Sequence, residues 1–230
     1  MKTLLKIAAL FMMVLGYGGL FAQDCDPYFV ASEEAVREMT SYDKKDKLTG
    51  TTIQTVKKVK IDGNKTEWTI GVISKDKKGK EISSGDLQMS CEDGIFKMDM
   101  KNFINKEMLE SFEGMEITMD ASDLDYPAEL SPGQDLKDGH ITVKIANAGI
   151  NVMTMDVKIY DRKVEAIEDM TTPAGTFSCY KMSSTIETKT MFSMVVKSTD
   201  WIAKNVGSVR SESYDKNGKL TGYTVLTSLK

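Results

Sequence analysis

Along most of this chain apolar residues recur at every second position. The stretch "TEWTIGVIS" puts Trp68, Ile70 and Val72 on one face and Glu67, Thr69 and Gly71 on the other. "IFKMDM" does the same with Phe96, Met98 and Met100, "MEITMD" with Met115, Ile117 and Met119, and "HITVKIA" with Ile141, Val143 and Ile145. One buried face and one wet face is the pattern of an antiparallel sheet. Turn-forming pairs separate the runs at Asp62-Gly63, Lys78-Gly79, Asp93-Gly94, Ala148-Gly149 and Asn217-Gly218. Asp-Gly and Asn-Gly tolerate the positive φ of tight hairpins. The pattern predicts a mainly β protein of about 11–12 strands. A sheet of that size must curl or close to manage its edges, so the expected architecture is a curled antiparallel sheet, an open half-barrel. One segment departs from the rhythm. "NFINKEMLESF", Asn102 to Phe112, spaces Ile104, Met108 and Phe112 four apart, with Leu109 beside them and Asn102 as an N-cap candidate. This predicts a single amphipathic helix of about three turns on the concave face of the sheet. The run Ala121 to Gly139, with two prolines and two glycines, reads as a long surface loop.

A near-repeat stands at opposite ends of the chain. "SYDKKDKLTG" runs from Ser41 to Gly50, "SYDKNGKLTG" from Ser213 to Gly222, and a weaker copy, "SKDKKGKEIS", from Ser74 to Ser83. In the two close copies a tyrosine closes the incoming strand and a leucine opens the outgoing one, with a charged tip between. The same hairpin problem solved repeatedly accounts for this. Asp215, Asn217 and Gly218 resemble the start of a calcium loop, but the neighbouring lysines and the missing distal glutamate oppose a metal there.

The first residues have a different character. Lys2 and Lys6 precede an apolar run, Ile7 to Leu15, and small residues ending at Ala22. That is the layout of a secretory signal peptide over residues 1–22. The run is too short to span a membrane, which takes about 20 apolar residues. A single domain over 24–230 follows, with no second segment of spanning length. Ala22-Gln23-Asp24 lacks the small apolar residues of a lipoprotein box, which argues against a lipid anchor at Cys25. The mature chain is therefore expected to be exported and soluble, periplasmic or secreted. Losing Lys2 and Lys6 moves the formal charge from −4 to −6. Arg37, Arg162 and Arg210 are the only arginines among 30 basic residues. Acidic balance with few arginine forks excludes a nucleic-acid surface. Cys25, Cys91 and Cys179 enter an oxidising compartment, where at most one intrachain disulfide can form; the pairing is open.

Several runs together resemble a family. They are "TSYDKKDKLTG", "MSCEDGIFKMDMKNF", "LSPGQDL", "RKVEAIEDMTTPAGTFSCYKM" and "WIAKNVGSVRSESYDKNGKLTGYTVL". The chain resembles the TapB-like family of exported Gram-negative bacterial proteins over the whole mature length. That resemblance implies a fold similar to the lipoprotein-localisation factors LolA and LolB, an open half-barrel covered on its apolar face. It brings no catalytic residues.

Motif by motif, enzyme chemistry finds little support. There is no phosphate-binding loop, dinucleotide glycine motif or nucleophile elbow. His140 is the one histidine, too few for a histidine-held zinc, and it opens a strand beside Asp138-Gly139. No cofactor and no metal are expected. Methionine is the compositional excess, 13 of 16 following Ala22. Thioethers spaced as in Met98-x-Met100 can hold copper(I), but residues two apart in a strand simply share a face, and methionine fills cores and adaptable apolar pockets. The sequence thus supports a non-enzymatic exported binding protein. It would hold an apolar or lipid-like ligand between sheet and helix, against Met98, Met100, Ile104, Met108, Phe112, Met115, Ile117 and Met119. The alternative is an interaction protein of the cell envelope that fills its own core and meets a protein partner.

Overall fold

A computed structural model of the protein describes residues 27–104 and 109–230. The expected signal peptide, Cys25 and Met108 lie outside the described residues. Among the described residues thirteen strands form one antiparallel sheet. They are β1 (Val36–Asp43), β2 (Leu48–Asp62), β3 (Lys65–Asp76), β4 (Glu81–Glu92), β5 (Ile95–Met98), β6 (Glu116–Ala121), β7 (Leu124–Pro127), β8 (Gly139–Asn147), β9 (Ile150–Thr172), β10 (Gly175–Lys189), β11 (Ser193–Ala203), β12 (Gly207–Tyr214) and β13 (Leu220–Leu229). The order across the sheet is β6-β8-β9-β10-β11-β12-β13-β1-β2-β3-β4-β5-β7. Sequence neighbours pair almost throughout, and β13 closes back on β1.

The two edge strands, β6 and β7, do not pair with each other. Only Ser122 and Asp123 separate them in the chain. Three extended residue steps reach about 11 Å at most, so the two edges of the sheet converge at this corner. Arg162 of β9 helps to hold the corner together. Buried to 3% exposure, its guanidinium donates to the carbonyls of Lys137 and of Asp125 on β7, and it lies over the Tyr126 ring at 4.7 Å. The loop expected over Ala121 to Gly139 therefore contains an edge strand, β7, with its one proline at the strand end, where no further ladder bond is required.

Among the described residues, the predicted helix does not run from Asn102. Met100–Phe103 is one turn of 3-10 helix, capped by the Asp99 carboxylate accepting from Lys101 N–H at 2.8 Å. Asn102, the expected N-cap, lies inside this turn and spends its side chain elsewhere. Its amide accepts from Gln88 N–H at 3.1 Å and donates to Gln88 C=O at 2.8 Å, standing in for a strand neighbour of β4. Ile104 is then extended, φ −93° and ψ 125°, which ends any helix begun at Asn102. Ile104, Leu109 and Phe112 each pack onto one apolar cluster.

The repeated decamers are three hairpins laid side by side, β12–β13, β1–β2 and β3–β4. In each, one aspartate builds the tip. Asp43 Oδ1 accepts from Lys45 and Lys47 N–H, Asp76 Oδ1 from Lys78 and Lys80, and Asp215 Oδ1 from Asn217 and Lys219, all at 2.8–3.0 Å. Each incoming strand carries a register slip just before that tip. The glycine ending the close copies fits against the neighbouring hairpin. A Cβ on Gly222 would stand 2.8 Å from Tyr42 O, and one on Gly50 would stand 2.5 Å from Lys75 O. Repetition here is architecture.

Two apolar clusters fill the ends of the curl. Tyr28, Phe29, Trp68, Ile70 and Phe96 anchor one. Met100, Leu124, Ile141, Val143 and Ile145 anchor the other. Met98 and Tyr126 touch both.

Candidate functional site

The sheet does not close on itself, and three of the cavities among the described residues share Phe103. The first, about 280 Å³, is bordered by residues of β1, β2, β4, β5, β7, β11 and β12, so strands from across the sheet face one space. A second, about 330 Å³, lies toward β9 and β10, and a third, about 580 Å³, toward β4 and β6. Met98, Phe103, Tyr126, Ile202 and Ser208 border the first two together. Phe103 borders all three. It sits in the 3-10 turn and is 44% exposed. Ligand sites run to roughly 300–1,000 Å³, with apolar walls and a few polar groups; the first cavity has such a wall, while the second and third are lined about equally by polar and apolar residues.

The sequence-predicted residues divide. Met98 borders the first and second cavities, and Ile104 and Met119 border the third. Met100 does not reach a cavity wall; it is fully buried among Leu124, Ile141 and Val143. Phe112, Met115 and Ile117 are partly buried against that same cluster. Met108 is outside the described residues. Cys91 is buried and disulfide-bonded. Cys179 is the free cysteine among the described residues, and burial pushes its thiol up to about 11, far from the thiolate that nucleophilic chemistry requires. His140 lies on the exposed side of β8, with Nδ1 at 3.1 Å from Ser122 Oγ. Among the described residues no group of three metal-ligating side chains gathers.

Sequence reasoning missed the polar groups of the interior. Arg37 on β1 is 3% exposed and borders the first cavity. One terminal nitrogen donates to Ser208 C=O and stands 3.3 Å from Met39 Sδ, and the guanidinium lies 5.1 Å from the Phe29 ring centre. Gly207 makes room for it at φ +94°, since a Cβ there would stand 2.6 Å from the guanidinium. Asp200 on β11 borders the second cavity; Ser198 Oγ donates to it at 2.7 Å, and burial raises its carboxyl above the ordinary range. Spacing places Arg37 on the face of Met39, but its pairing with Gln54 appears only in the folded ladder.

Residues 32–226 match the DUF3108-like family. The chain belongs to that family. It is also similar to solved structures. One is a candidate exported protein with a YmcC-like fold from Bacteroides fragilis, 25% identical, with a TM-score of 0.72, covering 90% of this chain and 100% of that one. Another is a candidate lipoprotein from Parabacteroides distasonis, 27% identical, with a TM-score of 0.73 and the same coverage. No curated protein matches the chain. These likenesses give a DUF3108-like membership and a neighbour with a YmcC-like fold; the TapB-like name and the LolA and LolB likeness rest on the sequence resemblance alone. No helix among the described residues is long and apolar enough to cross a membrane.

Proposed function

We propose that this DUF3108-like chain is an exported, non-enzymatic binding protein that holds an apolar, lipid-like molecule inside its curled sheet. The observation that carries this reading is Phe103, a large exposed apolar side chain that borders three cavities. Complete burial of such a ring is worth about 1.5–3 kcal/mol, and an apolar ligand would recover the fraction left by its 44% exposure. Methionine walls at Met39, Met89, Met98 and Met182 suit a ligand of variable shape. The secretory pattern of residues 1–22 and the exported or lipoprotein descriptions of two similar structures support the location.

A second reading, an envelope interaction protein, draws on one observation. Met191 and Phe192, at the tip between β10 and β11, are 89% and 82% exposed, and Ile150 and Val152 are exposed near the neighbouring β8–β9 tip. Exposed apolar groups of this kind mark contact surfaces. Native mass spectrometry of the full chain, purified from its own source without detergent, tests both. The binding reading predicts a monomer carrying a small-molecule mass that denaturation releases. A ligand-free chain held to another protein supports the second reading and contradicts the first.

A further inference from the structure

Arg37 and Gln54 face one another across the β1–β2 ladder as direct partners. Both border the first cavity. Arg37 Nε and Gln54 Oε1 are the two buried side-chain polar atoms without a hydrogen-bond partner among the described residues. A donor and an acceptor on adjacent strands could have satisfied each other. They do not; both atoms are buried without a partner in residues that border the cavity. No carboxylate among the described residues lies in ion-pair range of Arg37, so a full positive charge is buried against Phe29, Met39 and one carbonyl. Buried charges are ordinarily paired, and a buried cation without an anion is an expensive feature to retain in a fold. The rest of the wall is apolar: Leu87, Met89, Phe96, Met98 and Ile202.

We propose that Arg37 and Gln54 are the head-group end of the chamber, and that its ligand is a single-chain amphiphile bearing one compact anion, a carboxylate or a phosphate. The guanidinium fork matches the oxygens of either group. Nε is the free donor, and the Gln54 amide turns about its last torsion to offer either a donor or an acceptor beside it. The tail then runs along the methionine and aromatic wall toward Phe103. Burial alone lowers the Arg37 pKa to about 10, which still leaves the charge in place at neutral pH. Asp200 borders the adjoining second cavity, where its raised carboxyl does not compete for the guanidinium.

This inference rests on the binding reading above, and its test separates the two. Decanoate, decyl phosphate, decanol and decylammonium are titrated calorimetrically into the full mature chain. A hydrogen bond to a charged group predicts that one or both anions bind about tenfold or more tightly than decanol; the tighter anion identifies the head group. Arg37→Met should abolish this preference, bringing the anions to the affinity of decanol. Gln54→Leu, which keeps the guanidinium, should narrow the preference, and the wild-type comparison stands even where Arg37→Met fails to fold. Decanol or decylammonium binding as tightly as both anions, or a preference that survives in folded Arg37→Met, overturns the head-group assignment while keeping the chamber. Binding of none of the four overturns the chamber and the assignment with it.

Discussion

Arg162 and Arg37 are equally buried, yet their surroundings divide the work of the interior. Arg162 finds two carbonyls and a tyrosine ring and fastens the corner where the sheet edges meet. Arg37 keeps an unpartnered nitrogen toward a cavity. Asp200 adds a titratable group to the same interior. Burial raises its carboxyl above the ordinary 3.8, partly offset by the hydroxyls of Ser198 and Ser211. The folded chain therefore holds this proton more tightly than the unfolded one. The resulting stability is complete below pH 3.8 and is lost as pH rises through the raised value. Asp200→Asn, neutral at every pH, should melt at a higher temperature than wild type at neutral pH and lose that advantage below pH 3.8. Parallel melting curves at both pH values check this; a variant equally or less stable at neutral pH contradicts it.

At the scale of elements, the glycines of the repeated decamers fix how neighbouring hairpins nest. Gly222→Ala forces a methyl to within 2.8 Å of Tyr42 O. Overpacking against backbone costs about 1–3 kcal/mol, read as a fall in the denaturation midpoint. Gly85→Ala on β4, with open space around it, should instead gain about 0.5–1 kcal/mol from lost unfolded-state freedom. Equal effects from the two substitutions would remove the nesting argument. Most strands were legible because one face is wet, as in β8, where burial alternates along Ile141, Val143 and Ile145. The departure at Asn102 was not, because its side chain is spent on the Gln88 backbone and Ile104 turns extended, which apolar spacing does not reveal. β9 hides a further device. Val157 and Ile159 point inward, then Asp161 takes φ +51°, and Arg162 and Val164 point inward in their place. This change of parity puts the arginine inside, and strict alternation across Tyr160 to Lys163 conceals it. Of the candidate site, Met98, Ile104 and Met119 could be read from sequence, since each is apolar on a patterned run. Arg37 and Gln54 could not, because their pairing across two strands exists only once the ladder forms.

Taken whole, the molecule is a curled sheet with solid ends and an unfilled middle, and the distribution of methionine makes that claim measurable. Met39, Met89, Met98 and Met182 border the first two cavities, Met100 and Met155 are buried in the cluster beside them, and Met191 and Met194 are exposed at a hairpin tip. The most direct measurement follows the methyl resonances of these residues while an apolar ligand such as decanol or decanoate is added to the full chain. The chamber account predicts saturable shifts at Met39, Met89, Met98 and Met182, with Met191 and Met194 unmoved. Shifts confined to Met191 and Met194, or no saturable change at the four cavity methionines, would contradict it.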